Sequence, residues 1–210
     1  MTKAEIGEAF KRWHAANPTP VTELEYGSPF QLLVAVVMSA QATDKGVNIA
    51  TRKLFPVAPT PEAMATLGEA GITEYIRTIG LYRNKAKNVA MLSRQLLERH
   101  GGEVPRDRES LEALPGVGRK TANVVLNSIW REPVMAVDTH IFRVGNRMGL
   151  APGKDVVAVE KALMRRVPKD YLVDAHHWLI LHGRYVCIAR KPKCGECIVR
   201  DLCQFPDKTD

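Results

Sequence analysis

Cysteine is missing from the first 186 residues of this 210-residue chain, and all four cysteines fall between Cys187 and Cys203. A disulfide framework would distribute its bridges over the chain. This clustering therefore argues against a disulfide-bonded secreted domain and favours a metal site whose cysteines are kept reduced. Long hydrophobic runs are missing too. The longest, Phe30 to Ala40, has about half of the roughly 20 residues that a membrane-spanning helix needs, and the first residues do not resemble a signal peptide. We therefore expect a cytoplasmic protein.

Aromatic residues are also scarce, at 6% of a chain that is 45% hydrophobic. No segment shows the period-two alternation or the β-branched runs of a strand, whereas apolar residues recur at helical spacing. The sequence therefore predicts an all-α fold with an aliphatic core. Its helices are expected at 3–17, 29–39, 45–55, 61–67, 72–79, 84–100, 108–113, 120–130, 141–150, 156–166 and 174–186.

Acidic residues are outnumbered, with 23 against 30 basic ones, which gives a formal net charge of +7. A basic chain is suited to an anionic partner, although charge alone is weak support because many basic proteins bind nothing acidic.

The segment LPGVGRKTA, residues 114–122, joins two predicted helices through a turn with two glycines. Gly116 and Gly118 carry no Cβ to hold a bulky anion away from the backbone. The open N–H groups of the following helix favour an anion as well. The segment therefore fits a phosphate cradle and, equally well, a plain tight turn between helices.

Lys120 and Asp138 are the two ionisable candidates for chemistry. Lys120 can act as a nucleophile only if its surroundings lower the pKa of its amine enough for part of it to be neutral. Otherwise it is an ordinary solvated lysine on a helix. Asp138 precedes a predicted helix, where a carboxylate commonly serves as an N-cap but can also assist proton transfer. Leu81 is an apolar residue in the turn Gly80-Leu81-Tyr82, which indicates either simple packing or an exposed wedge.

The cysteines are spaced C-x6-C-x2-C-x5-C. Four thiolates hold either tetrahedral zinc or an iron–sulfur cluster. Only Cys194 and Cys197 form the short knuckle that structural zinc prefers, so the spacing favours an iron–sulfur cluster over zinc. Arg190, Lys191 and Lys193 make the same loop basic, which suits phosphate contacts but is also typical of a solvated surface.

Taken together, LPGVGRKTA, the VDTH segment at 137–140 and the cysteine pattern resemble the helix-hairpin-helix family of DNA glycosylases and AP lyases. The resemblance extends over the chain, with SPFQLLVAVVMSAQATD, TIGLYRNKAKN and HHWLILHGRYVCIARKP in the same order. It implies two lobes: a six-helix barrel domain at 22–132, with the hairpin at about 108–130, and an iron–sulfur cluster domain made of 1–21 and 133–210.

The resemblance also implies roles for individual residues. Lys120 is the expected nucleophile, and Asp138 the carboxylate that supports it. The cysteines are the expected ligands of a [4Fe-4S] cluster: Cys187, Cys194, Cys197 and Cys203. The expected DNA-binding residues are Gln41, Leu81, Leu114, Gly116, Val117, Gly118, Arg119, His140 and Lys191. Gln41 and Leu81 match wedge residues that fill the gap left by a flipped nucleotide.

The function implied is base excision repair by a bifunctional enzyme that removes oxidised pyrimidines and cleaves the abasic site by β-elimination. A lysine at position 120 separates such enzymes from monofunctional relatives, which lack it. The alternatives are a monofunctional glycosylase of the same superfamily and a non-catalytic DNA-binding module. The expected partner is double-stranded DNA with damaged pyrimidines or abasic sites, bound by a monomer near the nucleoid and away from membranes.

Overall fold

The computed structural model describes residues 1–209 and is all-helical over that range, with no strand, as the sequence predicts. The ten α-helices are α1 Lys3–Ala16, α2 Pro29–Met38, α3 Asp44–Leu54, α4 Pro61–Ile76, α5 Tyr82–His100, α6 Arg108–Glu112, α7 Arg119–Trp130, α8 Thr139–Arg147, α9 Val156–Arg166 and α10 Lys169–Tyr185. A short 3-10 turn, Cys194–Glu196, follows.

Most helices begin at a side chain that caps them. Thr2, Ser28, Thr43, Thr60 and Asp107 each accept a hydrogen bond from the backbone three residues on. Such caps satisfy N–H groups that the helix itself leaves open. The capping side chains in the sequence therefore determine where these helices begin.

Several predicted boundaries differ from the structure. Helix α8 is Thr139–Arg147, where the sequence predicts 141–150. The helices expected at 61–67 and 72–79 form a nearly continuous α4, interrupted only at Gly68, whose φ of 67° is not helical. Helix α10 begins at Lys169, directly after Pro168 and five residues before the predicted 174, and Asp170 in its first turn favours a helix N-terminus.

The chain divides into two compact units, one formed by 22–130 and the other by 1–21 together with 131–210. In the first unit α2 is the central helix, since eight of its ten residues are buried. In the second unit α1 packs with the C-terminal helices, and its Phe10 and Trp13 lie in one apolar cluster with Trp178 and Leu179 of α10.

The segment before α8 passes through the core of the second unit without regular secondary structure. Met135, Ala136 and Val137 are buried there without forming a strand. Asp138 therefore follows a segment fixed by packing. Within residues 1–209, no helix combines the length and the apolar character that crossing a bilayer requires.

Candidate functional site

The turn between α6 and α7 is anchored by apolar side chains and exposes its glycines. Leu114 and Val117 are buried, and the Val117 N–H donates to the Leu114 carbonyl at 3.1 Å. Gly116 has a φ of 79°, and a Cβ there would lie 2.9 Å from the Asn88 side chain on α5. Gly118 is exposed, with nothing within 4 Å of an added Cβ. The turn therefore presents backbone to solvent, as a phosphate cradle needs, and Leu114 and Val117 support it from below.

Lys120 is exposed in the first turn of α7, next to the half-buried Arg119. The helix opens with the Ala122 N–H donating to the Gly118 carbonyl at 2.9 Å. The lysine thus projects from the end of a helix whose first N–H groups attract anions. The amine is therefore close to any anion that binds the turn.

Asp138 is the N-cap of α8, as the plainer interpretation of the sequence expected. Its Oδ1 accepts from the Ile141 N–H at 2.8 Å. Its Oδ2 makes no hydrogen bond to any other residue in 1–209, and the residue is only half-buried. One carboxylate oxygen is therefore committed to the helix, and the other is available to a cation or a proton.

The two wedge candidates share an unusual backbone. Gln41 and Leu81 are exposed and have φ values of 53° and 59°. A Cβ placed on Gly80 would lie 3.6 Å from the Gln41 carbonyl, so the two turns are neighbours. Residues without glycine's freedom hold this conformation at a cost in energy, and such strain concentrates at functional sites. Leu81 keeps 54% of its surface exposed, so its side chain is available to a partner.

All four cysteines are unpaired thiols that line one cavity, partly open to solvent. Across residues 1–209, no three Cys, His, Asp or Glu side chains converge closely enough to hold a single metal ion. A ring of thiols around a larger space suits a multi-iron cluster better than one zinc. Burial raises the pKa of the Cys197 and Cys203 thiols, so metal binding has to displace their protons.

Two arginines of α8 hold the start of the cysteine loop, and sequence reasoning missed both. Arg143 donates to the carbonyls of Cys187 and Gly183 at 3.0 and 2.7 Å. Arg147 donates to the Ile188 carbonyl at 2.7 Å and to the Ala189 carbonyl at 2.8 Å. Their spacing of four residues puts them on one helix face, which was the only available signal.

Arg147 also faces the cluster cavity. Its Nη1 lies 3.9 Å from the Cys187 Sγ, and its guanidinium stacks over the Phe205 ring at 4.9 Å. On another side of the cavity, the His182 Nε2 lies 3.9 Å from the Cys197 Sγ. Burial lowers the pKa of His182 to about 4, so this imidazole is neutral at physiological pH. Lys193, Arg200 and Lys208 also line the cavity, so the thiols are bordered by several positive charges and by one neutral ring.

The two remaining DNA-binding candidates lie in the second unit. His140 is half-buried, and its Nδ1 lies 3.2 Å from an Arg143 nitrogen. Because a guanidinium only donates, Nδ1 is the acceptor in this contact, and Nε2 is left for a partner. Lys191 is exposed with a φ of 50°, on the loop between the first two cysteines. Both residues are polar contacts open to a partner.

Comparison with protein families matches residues 34–169 to the HhH-GPD superfamily of base excision DNA repair proteins. Residues 187–203 match the iron–sulfur binding domain of endonuclease III. The endonuclease III proteins of Haemophilus influenzae and Escherichia coli K12 are each 60% identical to this chain, over the full length of both partners.

Solved structures show the same similarity to endonuclease III. A trapped endonuclease III–DNA covalent intermediate and a non-covalent endonuclease III–DNA complex each superpose with a TM-score of 0.91 at 44% identity. In both cases 97% of this chain and 96% of the other are covered. A thermostable thymine-DNA glycosylase shares the fold at 24% identity, with a TM-score of 0.82.

The fold and the exposed hairpin are those of a helix-hairpin-helix base excision repair protein. Full-length identity and the iron–sulfur match narrow this class, and the chain belongs to the endonuclease III family of DNA glycosylases and AP lyases. The predicted iron–sulfur cofactor is thereby confirmed over zinc, and four thiolates match the ligand set of a [4Fe-4S] cluster.

Proposed function

We propose that this enzyme removes oxidised pyrimidines from double-stranded DNA and cuts the resulting abasic site, with Lys120 as the nucleophile. The observation that carries the proposal is the exposed amine of Lys120 at the start of α7, directly after the glycine turn. A group in this position is available to a nucleotide whose phosphates lie on the turn. The covalent DNA intermediate trapped for a relative 44% identical to this chain supports the same chemistry.

The proposed reaction begins with the neutral amine of Lys120 attacking the sugar C1′. The C1′–N bond breaks with its electron pair going to the base, which leaves and takes up the proton that Nζ releases. The sugar ring then opens to a Schiff base between C1′ and Nζ. Loss of a proton from C2′ expels the 3′ phosphate and nicks the strand. Asp138, assigned from the family resemblance, uses its available Oδ2 to stabilise positive charge that develops on the sugar.

Gln41 and Leu81 are proposed to occupy the gap that the flipped nucleotide leaves in the duplex. Flipping costs a few kcal/mol of lost stacking, and inserted side chains offset part of it. The exposed glycine turn, Arg119, His140 and Lys191 are proposed to bind the backbone and so to act without sequence preference. The cluster holds the basic loop in place and takes no redox part in the reaction. We expect a monomer in the cytoplasm, at the nucleoid.

Borohydride trapping on duplex DNA containing thymine glycol tests the nucleophile. The wild type should give a covalent adduct, and Lys120→Ala should give none, because borohydride reduces only an imine formed by an amine. Lys161→Ala, an exposed lysine on α9, is the control and should trap normally. Full trapping by Lys120→Ala contradicts the assignment.

Incision assays on the same lesion-containing DNA test the role of the Asp138 carboxylate. Asn retains a cap acceptor for α8, so Asp138→Asn should fold normally and lose on the order of 10²–10⁴ in rate. Base release by the wild type without strand cleavage identifies a monofunctional glycosylase. Binding of abasic DNA without any cleavage identifies a non-catalytic module.

A further inference from the structure

Lys85 is a buried cation that the mechanism does not use. It lies in the first turn of α5 with only 4% of its surface exposed. Its Nζ is shielded from solvent and has no hydrogen-bond partner among residues 1–209. Burial lowers the pKa of this amine, with no carboxylate to oppose the effect. A buried ammonium without an acceptor is destabilising, so a compensating role is expected.

The helix end next to Lys85 is also open. The N-cap of α5 is Leu81, which makes no side-chain capping bond, and the first turn contains no acidic residue. This end therefore carries unpaired N–H groups and the positive end of the helix dipole. Side chains on a helix tilt toward its N-terminus, so the Lys85 stem leaves the helix toward that same end.

The surroundings place this end of α5 between two of the proposed DNA contacts. The Lys85 N–H donates to the carbonyl of the wedge candidate Leu81 at 3.1 Å. Three residues further on, the Asn88 side chain would lie 2.9 Å from a Cβ on Gly116 in the hairpin turn. The first two turns of α5 thus connect the wedge to the hairpin inside one compact unit.

We propose that Lys85 and the N-terminus of α5 form a binding site for one phosphate of the DNA backbone beside the wedge. The inference rests on the proposed function, because it takes damaged duplex DNA as the ligand. In the free protein the amine is held without an acceptor, and when DNA displaces the wedge turn the amine extends to the phosphate. The buried charge then gains the partner that the free protein does not provide.

This site has an unusual consequence: the charge lowers the stability of the free protein and raises the affinity for DNA. Removing it with Lys85→Met, which keeps the length and the apolar stem, should raise Tm by a few degrees. The same change should weaken binding of lesion-containing duplex roughly tenfold, because a charge-assisted hydrogen bond is lost. The slope of log Kd against log salt should fall by about one.

Three variants complete the series. Lys85→Arg keeps the charge and should retain affinity within a few-fold. Lys87→Met removes an exposed charge from the next turn of the same helix and should change neither Tm nor affinity by a comparable amount. Lys85→Gln is a second neutral variant, and failure of both neutral variants to fold overturns the proposal, because the amine is then required by the fold.

A scan with single methylphosphonate linkages around the lesion identifies the phosphate. One linkage should weaken wild-type binding several-fold and have no effect on Lys85→Met, as expected when the two charges contact each other. The absence of any coupled linkage, or unchanged affinity with a lowered Tm in Lys85→Met, refutes the site. Borohydride trapping of the wild type on the same duplex reports on Lys120 separately, so the proposed function can stand while this inference fails.

Discussion

The hairpin turn and the cysteine loop both face DNA in our proposal, yet they are held in opposite ways. The turn at 114–118 is fixed by two neighbouring helices, by the buried Leu114 and Val117, and by a glycine in the left-handed region. The loop at 187–203 has one 3-10 turn and depends on four thiols and on side chains from α8. The first surface is specified by backbone packing, and the second by ligation.

This difference means that a cofactor should matter to one surface and leave the other intact. Replacing Cys194 with Ala removes one of four ligands and should abolish cluster binding, seen as loss of visible absorbance and of iron. The loop then loses its main constraint, and DNA affinity should fall by at least a hundredfold. Hydrogen exchange should show lost protection in the 187–203 loop.

The same exchange experiment contains its own control, because amides of α6 and α7 should keep their protection. A variant that retains iron and affinity would contradict the dependence of the loop on ligation. Equal loss of protection in both regions would contradict the contrast between them.

Substitutions of the two glycines test the hairpin turn. Gly116→Ala places a Cβ in the left-handed region and against Asn88, which should cost about 1–2 kcal/mol of stability and lower DNA affinity as well. Gly118→Ala meets no neighbour, so its Tm should stay unchanged while the new methyl group holds phosphate away from the turn. Thermal unfolding and fluorescence anisotropy separate the two effects. Unaltered affinity in both variants would mean that the turn does not touch DNA.

The last prediction concerns acid sensitivity, which should belong to the unit containing the cysteine loop. That unit buries three histidines of α10, whereas the buried ionisable group of the other unit is Lys85. Burial lowers the pKa of His177 to about 4, partly opposed by Asp174. Because the unfolded value is near 6.5, stability is full above pH 6.5 and is lost as pH falls toward 4, by about 3 kcal/mol in total.

Chemical denaturation of His177→Gln between pH 7 and pH 4.5 measures this contribution. The variant should show a shallower decline, by up to about 1.4 kcal/mol per pH unit, since one fewer proton is taken up on unfolding. Equal slopes for wild type and variant would show that His177 does not titrate in this window. His182 contributes in the same window and remains in both proteins, so only the difference in slope is diagnostic.

Features that depend on local chemistry were predictable from the sequence. The helices follow from apolar spacing and from caps such as Ser28 and Thr60, and the open hairpin follows from Gly116 and Gly118. The preference for a cluster over zinc follows from cysteine spacing. The assignments of Lys120 and Asp138 stay predictions, since they rest on motifs and on a family resemblance.

Features that depend on tertiary contacts were not predictable. Arg143 and Arg147 look like ordinary solvent-exposed charges of a basic helix until the cysteine loop folds against them. Lys85 is likewise one of several similar cations in α5, and only burial distinguishes it. The left-handed backbone of Gln41 and Leu81 carries no glycine signature, because surrounding structure imposes it.

The first helix of the chain has a consequence for how the protein is made. Residues 22–130 form a compact unit from one contiguous stretch, but α1 packs against α10, whose last residue is Tyr185. At ordinary elongation rates α1 waits on the order of 10–30 s for its partner. During that interval Phe10 and Trp13 have no core to enter, so the nascent chain carries an exposed apolar helix. Chaperone dependence and aggregation during synthesis should therefore map to the N-terminal helix.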